Sequence, residues 1–225
     1  MTEPLRFQGK VMSARISERA SYWFVSIQVQ LTESERQAPE RILGVDVGVT
    51  ALAVDSDGAV FENQKHLAAA QRKLRRLNRW LSRKQTGSKN WSKAKRKLAR
   101  LHLRIANLRA DATHKLTTRL ADKASVIVLE TLNVAGMLKN HKLSRAIADA
   151  AFSDIVCQLS YKAQQVVRTD PFYPSSKTCN GCGWVNRDLT LAERTWICPN
   201  CQRALDRDQN AARNIRDEAM RLVSA

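Results

Sequence analysis

Two Cys-x-x-Cys pairs, Cys179/Cys182 and Cys198/Cys201, stand 15 residues apart, a spacing that matches four-thiolate metal sites. Each pair can occupy a tight turn, with Gly181 and Gly183 serving the first and Pro199-Asn200 the second, so that four thiolates converge tetrahedrally. Four thiolate ligands leave no open coordination position, which points to structural zinc rather than a catalytic metal or a redox dithiol. Trp184 and Trp196 are expected to pack around this small knuckle, and Asp188 and Glu193, between the pairs, to be solvated. The fifth cysteine, Cys157, lies in AFSDIVCQL, a helical pattern in which it should be a small buried hydrophobe.

A second chemistry is written in acids. Asp46 interrupts the apolar strand ILGVDVGVT and Glu130 closes the strand SVIVLET. An unpaired carboxylate at the end of a buried strand is costly. If the two strands are neighbours in one sheet, their carboxylates face each other and repel unless a divalent cation lies between them. A third acid is available just past the cysteine clip, at Asp206 or Asp208, where DQNAARNIRDEAMRLV reads as a helix with Ala211, Ala212, Ile215 and Met220 along one face. The helix N-terminus favours negative charge at Asp208. Any one of these acids alone would be read as a cap or turn residue. Together, holding two Mg²⁺ or Mn²⁺ ions about 4 Å apart, they could activate water for phosphodiester hydrolysis.

A third group is cationic. Between Asn63 and Ala110 the chain has 16 Lys or Arg and no acid, with apolar residues at helical spacing: Leu67, Leu74, Leu77 and Leu81, then Ala94, Leu98, Leu101, Ile105, Leu108 and Ala112. Thr86-Gly87-Ser88 divides the pattern into a helical hairpin over 62–121. A solvated surface helix ordinarily intersperses Glu for support, so this run predicts phosphate contact. The densest clusters are Arg72, Lys73, Arg75, Arg76 and Arg79, then Lys95, Arg96 and Lys97. The whole chain agrees: 225 residues carry a formal net charge of +17, the electrostatic footprint of a nucleic-acid binder.

Strands and helices must position these groups. KVMSARI and YWFVSIQVQL predict a β-hairpin over 10–16 and 22–31. RILGVDVGVTALAVDSDG predicts two strands around a tight turn, SVIVLE (125–130) a buried strand, residues 144–165 a helix, and QQVVRTDPFYP a last strand that stops at Asp170-Pro171. His66, His102, His114 and His141 lack ligand spacing, and no Gly-rich phosphate loop occurs, so a nucleotide-driven motor is excluded. No apolar run is long enough to span a bilayer and no signal peptide is visible, so a cytoplasmic, nucleoid-associated protein is expected, with no membrane or small-molecule partner.

The order GVDVGVT, basic helical hairpin, VIVLETLNV, DPFYPSSKTCNGCG, ICPNCQRALDRDQNAARNI resembles the C-terminal half of the TnpB (OrfB) family of insertion-sequence proteins, relatives of type V CRISPR effectors. The resemblance covers Gly9 to Glu218. It implies an α/β, RNase H-like (RuvC) mixed sheet with a basic helical hairpin insertion and an inserted four-cysteine zinc ribbon. On the family motifs, Asp46, Glu130 and Asp208 match the catalytic acids, with Asp206 a secondary acid. The implied organisation is a terminal hairpin of a barrel (WED-like) domain in 1–40, the nuclease core in 41–174, the ribbon in 175–204 and the final helix in 205–225. The implied function is RNA-guided, Mg²⁺-dependent cleavage of DNA, with DNA and a guide RNA as partners. Because only the last hairpin of the barrel has a counterpart here, the resemblance also implies a truncated or separately translated form. The alternative expectation is a non-catalytic nucleic-acid-binding accessory protein.

Overall fold

A computed structural model describes residues 9–30, 38–190 and 192–223, with side chains to 221. The parts of the expected 1–40 segment at 1–8 and 31–37 therefore lie outside the described residues. The chain divides into two compact units.

One unit comprises the described residues of Met1–Arg36 together with Ala69–Leu108. Its hairpin pairs β1 (Lys10–Arg19) with β2 (Tyr22–Gln30) around Ala20-Ser21, both left-handed. The remainder comes from the helices α1 (His66–Ser82) and α2 (Lys89–Lys123), each of which also reaches into the other unit. Leu74, Ala94, Leu101 and Ile105 are the buried apolar positions of the hairpin pattern. Leu108 departs from the expected stripe, being 40% exposed. Arg100 ties the β-hairpin to α2: its Nε donates to the Ala20 carbonyl at 3.3 Å and its guanidinium stacks 4.5 Å from the Tyr22 ring centroid.

The second unit, Gln37–Ala68 with Arg109–Ala225, is built on a five-stranded mixed sheet. In chain order its strands are β3 (Ile42–Val47), β4 (Ala51–Asp55), β5 (Val60–Glu62), β6 (Val126–Leu129) and β7 (Gln165–Arg168), arranged β5-β4-β3-β6-β7. The first three form an antiparallel meander, whereas β6 and β7 run parallel to β3 and are reached through helices. Alternation sorts the side chains onto two faces. Leu43, Val45, Ile127 and Leu129 point into the main core with Leu116 and Leu120 of α2. Ile42, Val126 and Val128 point the other way, onto Ile215 and Ala219 of α6 (Arg207–Val223).

The expected helix over 144–165 is two helices, α4 (Ser144–Ala150) and α5 (Phe152–Lys162), following a short α3 (Val134–Leu138). Ala151 breaks it at φ 53°, and no glycine or proline announces the break in sequence. The division aims both helices at the sheet: Ile147, Ala150, Phe152, Ile155 and Leu159 all enter the core. Cys157 falls off that stripe and is exposed, contrary to expectation. Asp149, at the end of α4, is buried and accepts from the backbone N–H of Leu67 (3.0 Å) and Ala68 (3.3 Å), closing the N-terminus of α1.

A small two-stranded ribbon, β8 (Thr195–Ile197) with β9 (Ala204–Asp206), completes the unit. No helix among the described residues is long and apolar enough to cross a membrane.

Candidate functional site

Parallel pairing sets the first two acids level. Val45 of β3 faces Leu129 of β6, so the next residue in each chain is an acid, Asp46 and Glu130 respectively. Strand alternation puts Asp46 on the α6 face, beside Gly44. A side chain at Gly44 would lie 2.1 Å from the Ala212 carbonyl oxygen and 2.5 Å from the Arg216 nitrogen, so α6 crosses β3 where only glycine leaves room. That close seat brings the first turn of α6, and with it Asp208, into the electrostatic range of Asp46.

Burial pushes the Asp46 carboxyl well above the usual carboxylate range, assisted by the negative charges of Glu130 and Asp208 and opposed by Arg207 and Arg194. Burial also raises Glu130, against the hydrogen bond donated by the Ser175 hydroxyl. Asp208 is held by two guanidiniums: Arg194 Nη1 and Arg207 Nη2 each approach to 3.1 Å. Arg194 also donates to the Thr50 hydroxyl at 2.8 Å, linking the ribbon to the β3–β4 turn. Asp46, Gly48, Thr50, Lys177, Arg194 and Asp208 are among the residues lining a cleft of about 390 Å³.

Asp206 and Asp208 separate cleanly in the structure. Asp206 is exposed and accepts from the Gln209 N–H at 2.8 Å, which makes it the cap of α6. Asp208 lines the cleft with Asp46.

The four cysteines converge as their spacing predicts, with their sulfurs within 4.8 Å of one another. Cys179 and Cys201 Sγ stand 3.6 Å apart, as do Cys182 and Cys198. These separations match the edges, roughly 3.8 Å, of a tetrahedron of thiolates around zinc. The two knuckles are alike: Cys179 N–H donates to Trp184 O and Gly183 N–H returns to Cys179 O, while Cys198 N–H donates to Arg203 O and Gln202 N–H returns to Cys198 O. The left-handed residues are thus Gly183 (φ 77°) and Gln202 (φ 57°). Gln202, rather than the expected Pro199-Asn200, carries the second turn. Burial pushes the Cys179 thiol up to about 12, whereas hydrogen bonding, first from Asn200, lowers Cys182 to about 6. Trp196 is buried with Leu189 and Leu205 against Cys179 and Cys198, and Trp184 tilts over it at 6.4 Å while 37% exposed. Asp188 is exposed as expected, but Glu193, also exposed, is engaged: it accepts from Thr190 N at 2.7 Å and Oγ1 at 2.9 Å.

The acids do not converge as tightly, since among the described residues the cysteines are the group that meets within 4.8 Å. Their chemistry nonetheless fits a hard divalent cation: all three offer oxygen donors, Asp46 and Glu130 are desolvated, and the charges of Glu130 and Asp208 act against that of Asp46.

Two asparagines that carry no signal in the sequence stitch ribbon to helix. Asn210 and Asn214, one turn apart on α6, are buried. Asn210 donates to Thr178 O at 2.7 Å, and Asn214 to Ser175 O at 2.7 Å and Thr178 O at 2.6 Å. Asn180 answers by donating from its backbone to Asn210 Oδ1 at 2.9 Å. Ser175, the donor to Glu130, is therefore fixed by α6. Of the expected apolar face of α6, Ala211, Ala212 and Ile215 are buried, but Met220 is 42% exposed and Ala219 takes its place.

The expected phosphate-contact residues Arg72, Lys73, Arg75, Arg76, Arg79, Lys95, Arg96 and Lys97 are all exposed. Arg76, Arg79 and Lys97 gather around Trp80. Lys95 lies 4.8 Å over the Trp91 ring.

Residues 25–141 match the family model OrfB_IS605, described as "Probable transposase", and residues 152–215 match the Cas12f1-like TNB domain. A Streptomyces pristinaespiralis protein whose name assigns it to the RNA-guided DNA endonucleases is 43% identical over 88% of this chain and 50% of its own length. An Escherichia coli K12 protein named in the same way, InsQ, is 37% identical over 92% of this chain and 56% of its own. The chain thus spans about half the length of the curated relatives it matches. The fold is similar to that of Cas12f1 in its complex with guide RNA and target DNA: TM-score 0.55 at 19% identity, over 91% of this chain and 55% of that one.

Proposed function

Given that this chain belongs to the OrfB_IS605 family, we propose that it is a TnpB-type, metal-dependent DNA endonuclease with a RuvC-like site. Asp46, Glu130 and Asp208 hold Mg²⁺ or Mn²⁺, and Cys179, Cys182, Cys198 and Cys201 hold structural zinc. The observation that supports this reading is the approach of the acids: the register of β3 on β6 sets Asp46 level with Glu130, and the close seat of α6 on Gly44 brings Asp208 within electrostatic range of Asp46. The mixed sheet, an antiparallel meander followed by two parallel strands, supports reading 41–174 as an RNase H-like core closed by 205–225. In the same reading 175–204 is the ribbon, 62–121 the basic insertion, and 1–40 the end of a barrel domain. The partners are DNA and a guide RNA, in the cytoplasm.

Bound divalent cations would supply an ionised water at neutral pH and offset charge on the phosphate being cut. The remaining work belongs to side chains of this chain. Asp46 and Glu130 supply carboxylates whose desolvation makes them poor partners for water and good ones for a cation. Ser175 orients Glu130, and α6 holds Ser175 through Asn214. Arg194 is 46% exposed at the side chain and lines the cleft, so it can exchange Asp208 for a phosphate oxygen. The basic helices add contacts to the nucleic-acid backbone that carry no base information.

The test is Mg²⁺-dependent cleavage of supercoiled and single-stranded DNA by purified protein beside Asp46→Ala, with and without RNA copurified from the native locus. Cleavage lost in the variant supports the assignment. A folded, zinc-loaded protein that binds DNA and cuts none of these substrates overturns it in favour of the non-catalytic binder.

A further inference from the structure

The basic hairpin holds more than a field of charge. Toward the end of α1, Arg76, Leu77, Arg79 and Trp80, then Arg83 just past it, face Lys97 of α2 across a pocket of about 410 Å³. Trp80 is half-buried in it. Two ammonium groups lie over its ring, Lys97 Nζ at 5.1 Å and Lys84 Nζ at 5.6 Å from the centroid. Arg76, Arg79, Arg83 and Lys97 make no ion pair among the described residues, and no acid occurs between Asn63 and Ala110 to neutralise them.

An aromatic floor ringed by unneutralised cations has a specific complement: a planar π-system attached to an anion. We propose that this pocket binds one unpaired nucleotide, its base stacked on Trp80 and its flanking phosphates on Arg76, Arg79, Arg83 and Lys97. The lysines over the ring are the resting occupants. An exposed cation–π contact contributes about 0.5–1 kcal/mol, so the two lysines together contribute about 1–2 kcal/mol, against about 1–3 kcal/mol for a base stacked on an aromatic side chain. The exchange is favoured because the freed ammonium groups then lie beside the incoming phosphate. A paired base cannot make the exchange because its faces are already stacked in the duplex. Phosphate contact alone is blind to the base, so Trp80 gives this surface a preference for single-stranded or bulged segments over helices.

This inference rests on the nucleic-acid partner proposed above but not on cleavage, so it is tested by binding in the Asp46→Ala background. Labelled single-stranded RNA and DNA of one sequence, an abasic strand of the same length and the matching duplex are titrated by fluorescence anisotropy. Trp80→Ala and Trp80→Leu should weaken the tighter-binding of the two base-bearing strands by about 5- to 150-fold. The same variants should leave the abasic strand and the duplex within twofold, and Trp80→Phe should retain most of the affinity. RNA against DNA identifies which strand supplies the nucleotide. Lys97→Ala and Arg83→Ala should each reduce the salt dependence by about one counterion instead. Zinc content and circular dichroism establish that each variant is folded. Equal weakening of base-bearing and abasic strands by Trp80→Ala, or none in either, overturns the pocket while leaving the nuclease assignment standing. A wild-type protein that cuts nothing while the Trp80 effect is intact would do the reverse.

Discussion

Replacing Gly44 by alanine tests the geometry that assembles the acid cluster. The added methyl would sit 2.1 Å from Ala212 O and 2.5 Å from Arg216 N, both backbone atoms of α6 that cannot swing aside as a side chain could. Restoring ordinary contact requires α6 to withdraw from β3 by about 1 Å, and overpacking of this kind costs about 1–3 kcal/mol. For a chain of this size that lowers the melting temperature by about 2–12 °C. The withdrawal carries Asp208 away from Asp46, so Mn²⁺ binding should weaken along with stability. Zinc content should hold, because none of the four cysteines contacts Gly44. If cleavage is measurable, a displacement of about 1 Å should cost on the order of 100-fold in rate. The measurements are thermal unfolding, calorimetric titration with Mn²⁺ and zinc analysis of the same preparation. A Gly44→Ala protein with an unchanged melting temperature and unchanged Mn²⁺ affinity would refute the claim that α6 reaches the acids through this glycine.

Asp46→Asn should stabilise the protein in chelator at pH 7 and lose that advantage when Mg²⁺ or Mn²⁺ is added. The sign follows from linkage: a carboxyl raised in the folded state binds its proton more tightly there than in the unfolded chain, so stability falls as pH rises from the unfolded value to the folded one and stays low above it. Melting curves across pH, with chelator and with metal, check this; a destabilised variant in chelator at pH 7 would contradict it. Cys179→Ser should reduce bound zinc from roughly one equivalent to near none, by metal analysis, and unfold the ribbon. Asn214→Ala leaves the Ser175 carbonyl with only a 3.5 Å contact from Asn210 and the Thr178 carbonyl with Asn210 alone, and should cost about 1–3 kcal/mol in a denaturant titration. Arg194→Ala should depress cleavage more than Arg194→Lys, because one guanidinium now serves both Thr50 and Asp208.

The acids and cysteines were legible because each is chemically out of place: a charge within an apolar strand, thiols at ligand spacing. The basic hairpin was legible because its lack of acids is a property of composition. What the sequence hid depends on contacts between distant segments. Ser175 gains meaning only where it meets Glu130, and Gly44 only where α6 crosses it. Asp206 and Asp208 look alike as letters, and differ because one caps the helix while the other, two residues on, faces the cleft. The break at Ala151 and the left-handed Gln202 carry no Gly or Pro signal, since surrounding packing and hydrogen bonds impose both conformations. Cys157 belongs with them: on α5, whose buried stripe is Phe152, Ile155, Gln158 and Leu159, it faces outward.

Strand β9 ends at Asp206 and α6 begins at Arg207, with no loop between them. The direction in which Asp208 points is consequently set by the ribbon strand that runs straight into the helix. Each residue of an α-helix turns its side chain by about 100°, so inserting or deleting one at the junction of β9 and α6 would swing the acid out of the cleft while leaving all four cysteines in place. That junction acts as a gauge for where the acid points.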